Sequence, residues 1–349
     1  MAGCKGKIMT VQGVIEPSQA GVTLPHEHLY LKVPSFYTEP KNKQAEGYIH
    51  APFEMKNLGW IRQNPYSHWP NLSLYGESEA VIEELLFFKE NGGNTIVENT
   101  SLGIYRDLAT LKHISQSTGV NVVCGTGFYV DAAQTESVRS YSEEKMAEVM
   151  RADILEGTEG IRCGIIGEIG TAWPISDFER RSLRSGAIVQ QELGCPVIIH
   201  PGRDPCAPTE AMRYILEVGG KAEHTVMSHL DRTLLDKETL MEFAKLGTYL
   251  EYDLFGIETS HYQLLESIDM PSDAQRVKVI KDLVDEGLED RVLIAHDIHT
   301  KHRLMKYGGH GYSHVLINIV PKMLNRGITQ AQIDKFLIAN PRRWLQFTK

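Results

Sequence analysis

His26, His28, Glu168, His200, His229 and Asp297 each end or closely follow a short apolar run, in the segments GVTLPHEH, CGIIGE, CPVIIH, TVMSH and RVLIAHD. A lone histidine at such a position commonly does no more than complete a hydrogen-bond network. Six nitrogen or carboxylate donors in serial order specify more. Imidazole and carboxylate suit zinc and other first-row divalent ions, and a carboxylate between two histidine groups can bridge two of them. His26 and His28 are two apart, so on an extended segment both rings project to one side as a chelating pair. The set is that of a two-metal hydrolase. His296 precedes Asp297 on the same run, so it points the other way and stays outside the set.

Such donors must be gathered at one rim of a sheet. Apolar runs near 22–28, 94–98, 121–126, 164–168, 196–200, 225–229, 248–253 and 292–296 read as eight strands. Amphipathic segments separate them. Ser176 and Glu179 form a capping box, and Gly194 marks that helix's end. A second helix runs from Ser272 to Gly287 with Val277, Ile280 and Val284 on one face. Asp236 and Thr209 are the expected N-caps of two more, and Val81, Leu85 and Phe88 share a face of another. Eight βα units predict a (β/α)8 TIM barrel, in which catalytic residues occupy the C-terminal strand ends. A doubly wound sheet would need a Gly-rich phosphate turn after its first strand, and PHEHLYL is not one.

Segment 31–75 is too long for a βα connection. It carries Phe36, Tyr37, Tyr48, Phe53, Trp60, Tyr66 and Trp69, and reads equally as a lid or pocket wall over the barrel mouth and as an aromatic plug or subunit contact. With no repeat or flexible linker, residues 1–349 are expected to form a single domain. Arg203, Arg232, Lys301, His302 and Arg303 follow ligand strands and offer partners for a substrate anion, and Tyr129 offers a hydrogen bond. The 45 acidic residues outnumber the 36 basic ones, so no global field favours nucleic acid or an anionic membrane. The five cysteines are scattered and mostly within apolar runs, which suits reduced thiols. The start, MAGCKGKIMTVQG, lacks the apolar stretch of a signal peptide, and no window is long enough to span a bilayer. A cytoplasmic protein is expected.

HEH, GEIG, IIHPGR, MSHLDR and AHDI, with the C-terminal YGGHGYSHVLINIVPKMLNRGIT and NPRRWL, resemble the phosphotriesterase family of the amidohydrolase superfamily, its animal members above all, from about Val11 to Phe347. The resemblance implies that His26, His28 and Asp297 hold the more buried of two divalent ions and that His200 and His229 hold the more exposed one, with Glu168 as the bridge, Asp297 as the acid–base residue and a metal-activated water as the nucleophile. Zn2+ is the first choice, and Mn2+ or Co2+ suit the same donors. The bacterial organophosphate hydrolases bridge with a carboxylated lysine, and GIRCGIIGEIGTAW contains no lysine, which argues against phosphotriester hydrolysis. The resemblance implies an amidohydrolase of small N-acyl compounds, with N-acetyltaurine favoured, and a homodimer as the typical state. The residues themselves specify only a small anionic ester or amide. A lactonase or phosphotriesterase, or a non-catalytic barrel, stay open.

Overall fold

A short antiparallel hairpin, β1 (Ile8–Thr10) and β2 (Gly13–Ile15), leads into eight parallel strands: β3 (Val22–Glu27), β4 (Gly93–Glu98), β5 (Asn121–Thr126), β6 (Ile165–Gly170), β7 (Val197–His200), β8 (Thr225–Met227), β9 (Tyr249–Tyr252) and β10 (Val292–Ile294). The computed structural model describes residues 4–349; Met1, Ala2 and Gly3, the start of the segment expected to lack a leader, lie outside them. Each barrel strand pairs with the next in sequence, from β3 to β10. At the seam between β10 and β3, the Asp297 N–H donates to His26 O at 3.1 Å. The parallel direction follows from the helical segments that carry the chain back between strands. The expected (β/α)8 architecture is present, with strand bounds within a few residues of those read from the sequence.

Alternation along the strands divides the core in two. Val97, Val123, Ile165, Ile198, Val226, Tyr249 and Leu293, one from each of β4 to β10, pack inside the barrel with Ile8, Ala20, Trp344 and Leu345. Trp344 sits in the last helix, Asn340–Leu345, and its indole N–H donates to Val197 O at 3.3 Å. The N-terminal end of the barrel is thereby filled, and each fully buried aliphatic side chain there contributes about 1.5–3 kcal/mol. Neighbouring residues such as Ile96, Val122, Ile166 and Leu250 face outward into the larger core beneath the helices.

The helix Asp177–Leu193 begins with Ser176 and Glu179 in reciprocal hydrogen bonds and ends at Gly194 with φ 67°. Ser272 and Asp236 cap Asp273–Asp285 and Lys237–Ala244. Thr209 is a correction: that helix is Ala207–Glu217, its N-cap is Cys206, and Thr209 lies inside the first turn. Pro208, which has no N–H to satisfy, suits the turn and moves the start forward. Segment 31–75 contains a nine-residue helix, Met55–Gln63, that periodicity did not reveal. Tyr37 stacks on Trp69 at 4.3 Å and Tyr48 on Trp60 at 4.9 Å, so much of its aromatic surface is satisfied internally. No described helix is long and apolar enough to cross a membrane.

Glu84, on the helix Ser78–Glu90, is buried; its Oε1 accepts the Met305 N–H at 2.7 Å and its Oε2 has no hydrogen-bond partner among the described residues. Burial, with Glu27 nearby, pushes its carboxyl up to about 7, against the partial relief from backbone N–H groups. The folded protein therefore prefers Glu84 protonated. That contribution is complete below the unfolded value near 4.5 and is lost as pH rises through about 7. Glu84→Gln, which cannot ionise, is expected to gain stability relative to the parent on going from about pH 5 to about pH 8, by up to roughly 3 kcal/mol. Urea unfolding of both proteins at the two pH values checks this, and a difference independent of pH would remove Glu84 as its source.

Candidate metal centre

All six candidate ligands converge at the C-terminal rim, and none is more than 6% exposed. Glu168 is their centre. Its Oε1 lies 3.4 Å from His28 Nε2, and its Oε2 lies 3.4 Å from His26 Nε2, 3.2 Å from His200 Nδ1 and 3.5 Å from His229 Nε2. Asp297 Oδ1 is 3.2 Å from His28 Nε2 and 3.9 Å from His26 Nε2. His229 Nε2 and His200 Nδ1 face each other at 2.9 Å.

Two ligands reach inward through unusual backbone. His229 has φ 55° and Asp297 φ 53°, the left-handed region that costs a non-glycine residue roughly 1–2 kcal/mol. Their surroundings hold them there. The Asp297 N–H is tied to β3 across the seam, and Arg303 donates to the carbonyl oxygens of Asp297, His296 and Phe255. The His229 N–H donates to Asp253 Oδ2 at 3.0 Å. His296 lies apart from the cluster, with Nδ1 2.6 Å from Glu27 Oε1 and Nε2 accepting the Val315 N–H.

Donor chemistry and geometry fit divalent ions. The donor atoms of His26, His28 and Asp297 lie within 4.8 Å of one another, as do those of His26, Glu168 and His229. The first trio is the set that the family resemblance implies for one ion, and the second puts His26 with His229, across the division of histidines that the resemblance implies. Among the described residues His26 Nε2 is buried without a hydrogen-bond partner, a defect of about 1–3 kcal/mol unless something else engages it. Burial depresses His28, but hydrogen bonds to Asp297 and Glu168 outweigh it and raise the ring to about 10. His26 is likewise raised, burial being outweighed by Glu251, Glu168 and Asp253, whereas burial holds His200 and His229 below the ordinary histidine value. Glu168 and Asp297 stay well below the carboxylate range because nearby histidines overcome their burial. Raised His26 and His28 conflict with the neutral imidazole that ligation needs. Protons on these rings and a divalent ion answer the same demand for positive charge, so they compete for the site.

The cluster opens into a cavity of about 430 Å3. Phe36, Arg62, Pro65 and Tyr66 from segment 31–75 line it, so this segment is a pocket wall. Tyr129 also lines it, its hydroxyl 3.3 Å from His200 Nδ1. Arg203 Nε donates to Tyr262 OH at 2.6 Å, and Arg232 donates to Thr233 Oγ1 and Pro201 O, each at 3.0 Å. Among the described residues neither arginine has a carboxylate oxygen within 4.0 Å. His302 lines the cavity but is held by Asn71 Oδ1, and burial with Arg303 close by drives it well below its ordinary value. Lys301 is a correction: it pairs with Glu77 at 2.9 Å and does not line the cavity, so its charge is already answered.

Sequence reasoning missed four groups. Glu251 and Asp253 lie behind His26 and His229. The alternation in YLEYD that faces Tyr249 inward carried their signal. His299 Nδ1 is 3.1 Å from Asp297 Oδ2, and its Nε2 is 2.9 Å from Tyr66 OH. Tyr66 and His299 are 233 residues apart, and no local pattern joins them.

The Phosphotriesterase family model matches residues 6–345. A Danio rerio protein named N-acetyltaurine hydrolase is 56% identical, with 99% of this chain and all of the relative covered, and a Homo sapiens protein of that name is 55% identical with the same coverage. A resiniferatoxin-binding protein from Rhodobacter sphaeroides superposes with a TM-score of 0.94 at 33% identity, covering 98% of this chain and 96% of that one. The phosphotriesterase homology protein of Escherichia coli gives 0.76 at 25% identity, covering 94% and 99%.

The central place of Glu168 generates a direct test. Glu168→Ala is expected to lose bound metal and activity together while remaining folded, as measured by elemental analysis and circular dichroism. A metal-replete, active variant would end the assignment of Glu168 as the shared ligand.

Proposed function

This chain belongs to the phosphotriesterase family, and we propose that, as a single domain, it hydrolyses the amide bond of N-acetyltaurine to give taurine and acetate. The observation that carries this reading is a buried six-donor cluster beside two arginines, Arg203 and Arg232, that have no carboxylate oxygen within 4.0 Å among the described residues. A substrate with a small acyl amide at one end and a sulfonate at the other answers both halves.

His26, His28 and Asp297 would hold one ion, His200 and His229 the other, and Glu168 both; Zn2+ suits these donors, as do Mn2+ and Co2+. Bound there, divalent ions supply Lewis-acid polarisation of a carbonyl and a water acidic enough to ionise near neutral pH. Asp297 faces the cavity with Oδ1 toward His28 and Oδ2 toward His299, so its carboxylate is fixed in direction. It takes the proton of the attacking water and returns it to the departing nitrogen, which leaves as the taurine amine. Tyr129 O–H is a donor to the acyl oxygen. Arg203, held through Nε by the Tyr262 hydroxyl, offers its remaining N–H groups to two sulfonate oxygens, and Arg232, which lines the same cavity, adds positive charge. The buried setting strengthens each of these attractions. A reducing, cytoplasmic setting is supported by five free cysteines.

Purified protein is expected to release taurine from N-acetyltaurine, to stop on chelation and to recover when metal is restored. Turnover of a lactone or an aryl phosphotriester in preference to the amide would overturn the substrate assignment. Asp297→Asn should retain most of the metal and lose turnover. Arg203→Ala should raise KM for N-acetyltaurine about 10- to 100-fold, the scale of a charge-assisted hydrogen bond, and leave a neutral N-acetyl amine little changed. Equal effects on both would place the anion elsewhere.

A further inference from the structure

We propose that Asp253, assisted by Glu251, is a positioning residue that couples the two metal positions by holding one histidine from each. The inference rests on the reading that the six ligands bind two ions.

Alternation on β9 turns Tyr249, Glu251 and Asp253 toward the barrel interior. Tyr249 belongs to the core that fills the barrel. Glu251 and Asp253 lie above it, both fully buried, and neither has a Lys or Arg nitrogen within 4.0 Å among the described residues. Two carboxyl groups in such a place are costly unless polar partners hold them. Their partners are the rear faces of metal-ligand rings. Glu251 Oε2 is 2.9 Å from His26 Nδ1, and Asp253 Oδ2 is 3.3 Å from the same nitrogen. Asp253 Oδ1 is 2.8 Å from His229 Nδ1, while Asp253 Oδ2 accepts the His229 backbone N–H at 3.0 Å.

His26 and His229 both turn Nε2 toward Glu168. A histidine that ligates through Nε2 carries its proton on Nδ1, and a carboxylate accepting that proton fixes the tautomer, the ring angle and the basicity of the ligating nitrogen. Glu251 does this for His26. Asp253 does it for His229 and reaches His26 with its other oxygen. One side chain thus supports a ligand in each half of the centre and also secures His229 in its left-handed backbone. Loss of Asp253 therefore weakens both positions, and loss of Glu251 weakens one.

The test uses full-length protein, stripped with chelator and titrated with Zn2+ against a competing indicator, for the parent, Asp253→Asn and Glu251→Gln. Asparagine keeps the shape but replaces one acceptor by an N–H group. Expected are two sites in the parent, both weakened about 10- to 100-fold in Asp253→Asn and only one in Glu251→Gln. Spectra of the 15N-histidine-labelled zinc form supply a second readout: the Nδ1–H signals of His26 and His229 both move in Asp253→Asn, and only that of His26 moves in Glu251→Gln. Parent-like affinities and spectra in folded variants would overturn the proposal, since a merely structural role would lower thermal stability alone. A parent that binds no zinc would overturn the six-ligand reading and this inference with it. If Asp253→Asn fails to fold, Glu251→Gln decides: unchanged zinc binding and an unmoved His26 signal overturn the proposal, and weakening of a single site supports it.

Discussion

A carboxylate enclosed by four imidazoles governs this structure. Glu168 is almost wholly removed from water, and His26, His28, His200 and His229 surround it within 3.5 Å. In such a place each charge is expensive alone, and each polar atom must find a partner. The mixture of raised and lowered histidines shows that protons alone balance the cluster unevenly. The same imbalance suits the site to cations that bring two charges at once.

The rest of the barrel keeps that cluster in register. Apolar residues from seven strands and Trp344 fill the interior below it, so the rim stands on a rigid floor. Helices with well-formed caps hold the strands from outside. Where ligands must turn away from regular strand geometry, at His229 and Asp297, the chain accepts left-handed backbone and offsets it with N–H bonds donated to Asp253 and to His26 O and with bonds donated by Arg303. Backbone strain of this kind gathers at functional sites because only dense surroundings can maintain it.

Most of this plan was legible in the chain. Strands were visible because apolar runs are short and end in turn residues, and the ligands because each occupies the same place relative to its run. Glu251 and Asp253 share the alternation that turns Tyr249 inward, but acidic residues on a strand with no histidine beside them resemble solvated ones. Other features lacked a local signal. The ion pair of Lys301 with Glu77 and the contact of Tyr66 with His299 join residues more than 200 positions apart, and only the folded chain brings them together. Thr209 had the chemistry of a cap, but Pro208 had already committed that turn to helix. The choice of wall against plug for segment 31–75 likewise depended on which aromatic rings pair among themselves and which turn inward.

The bond from the Asp297 N–H to His26 O has a consequence for the order of events during synthesis. The barrel's first and last strands meet there, and both residues are metal-ligand candidates, so closure and completion of the centre are one act. A chain made only as far as β9 lacks its final candidate carboxylate and its seam. Completion of the candidate centre is therefore a late event, open only to chains that have been made past their eighth barrel strand.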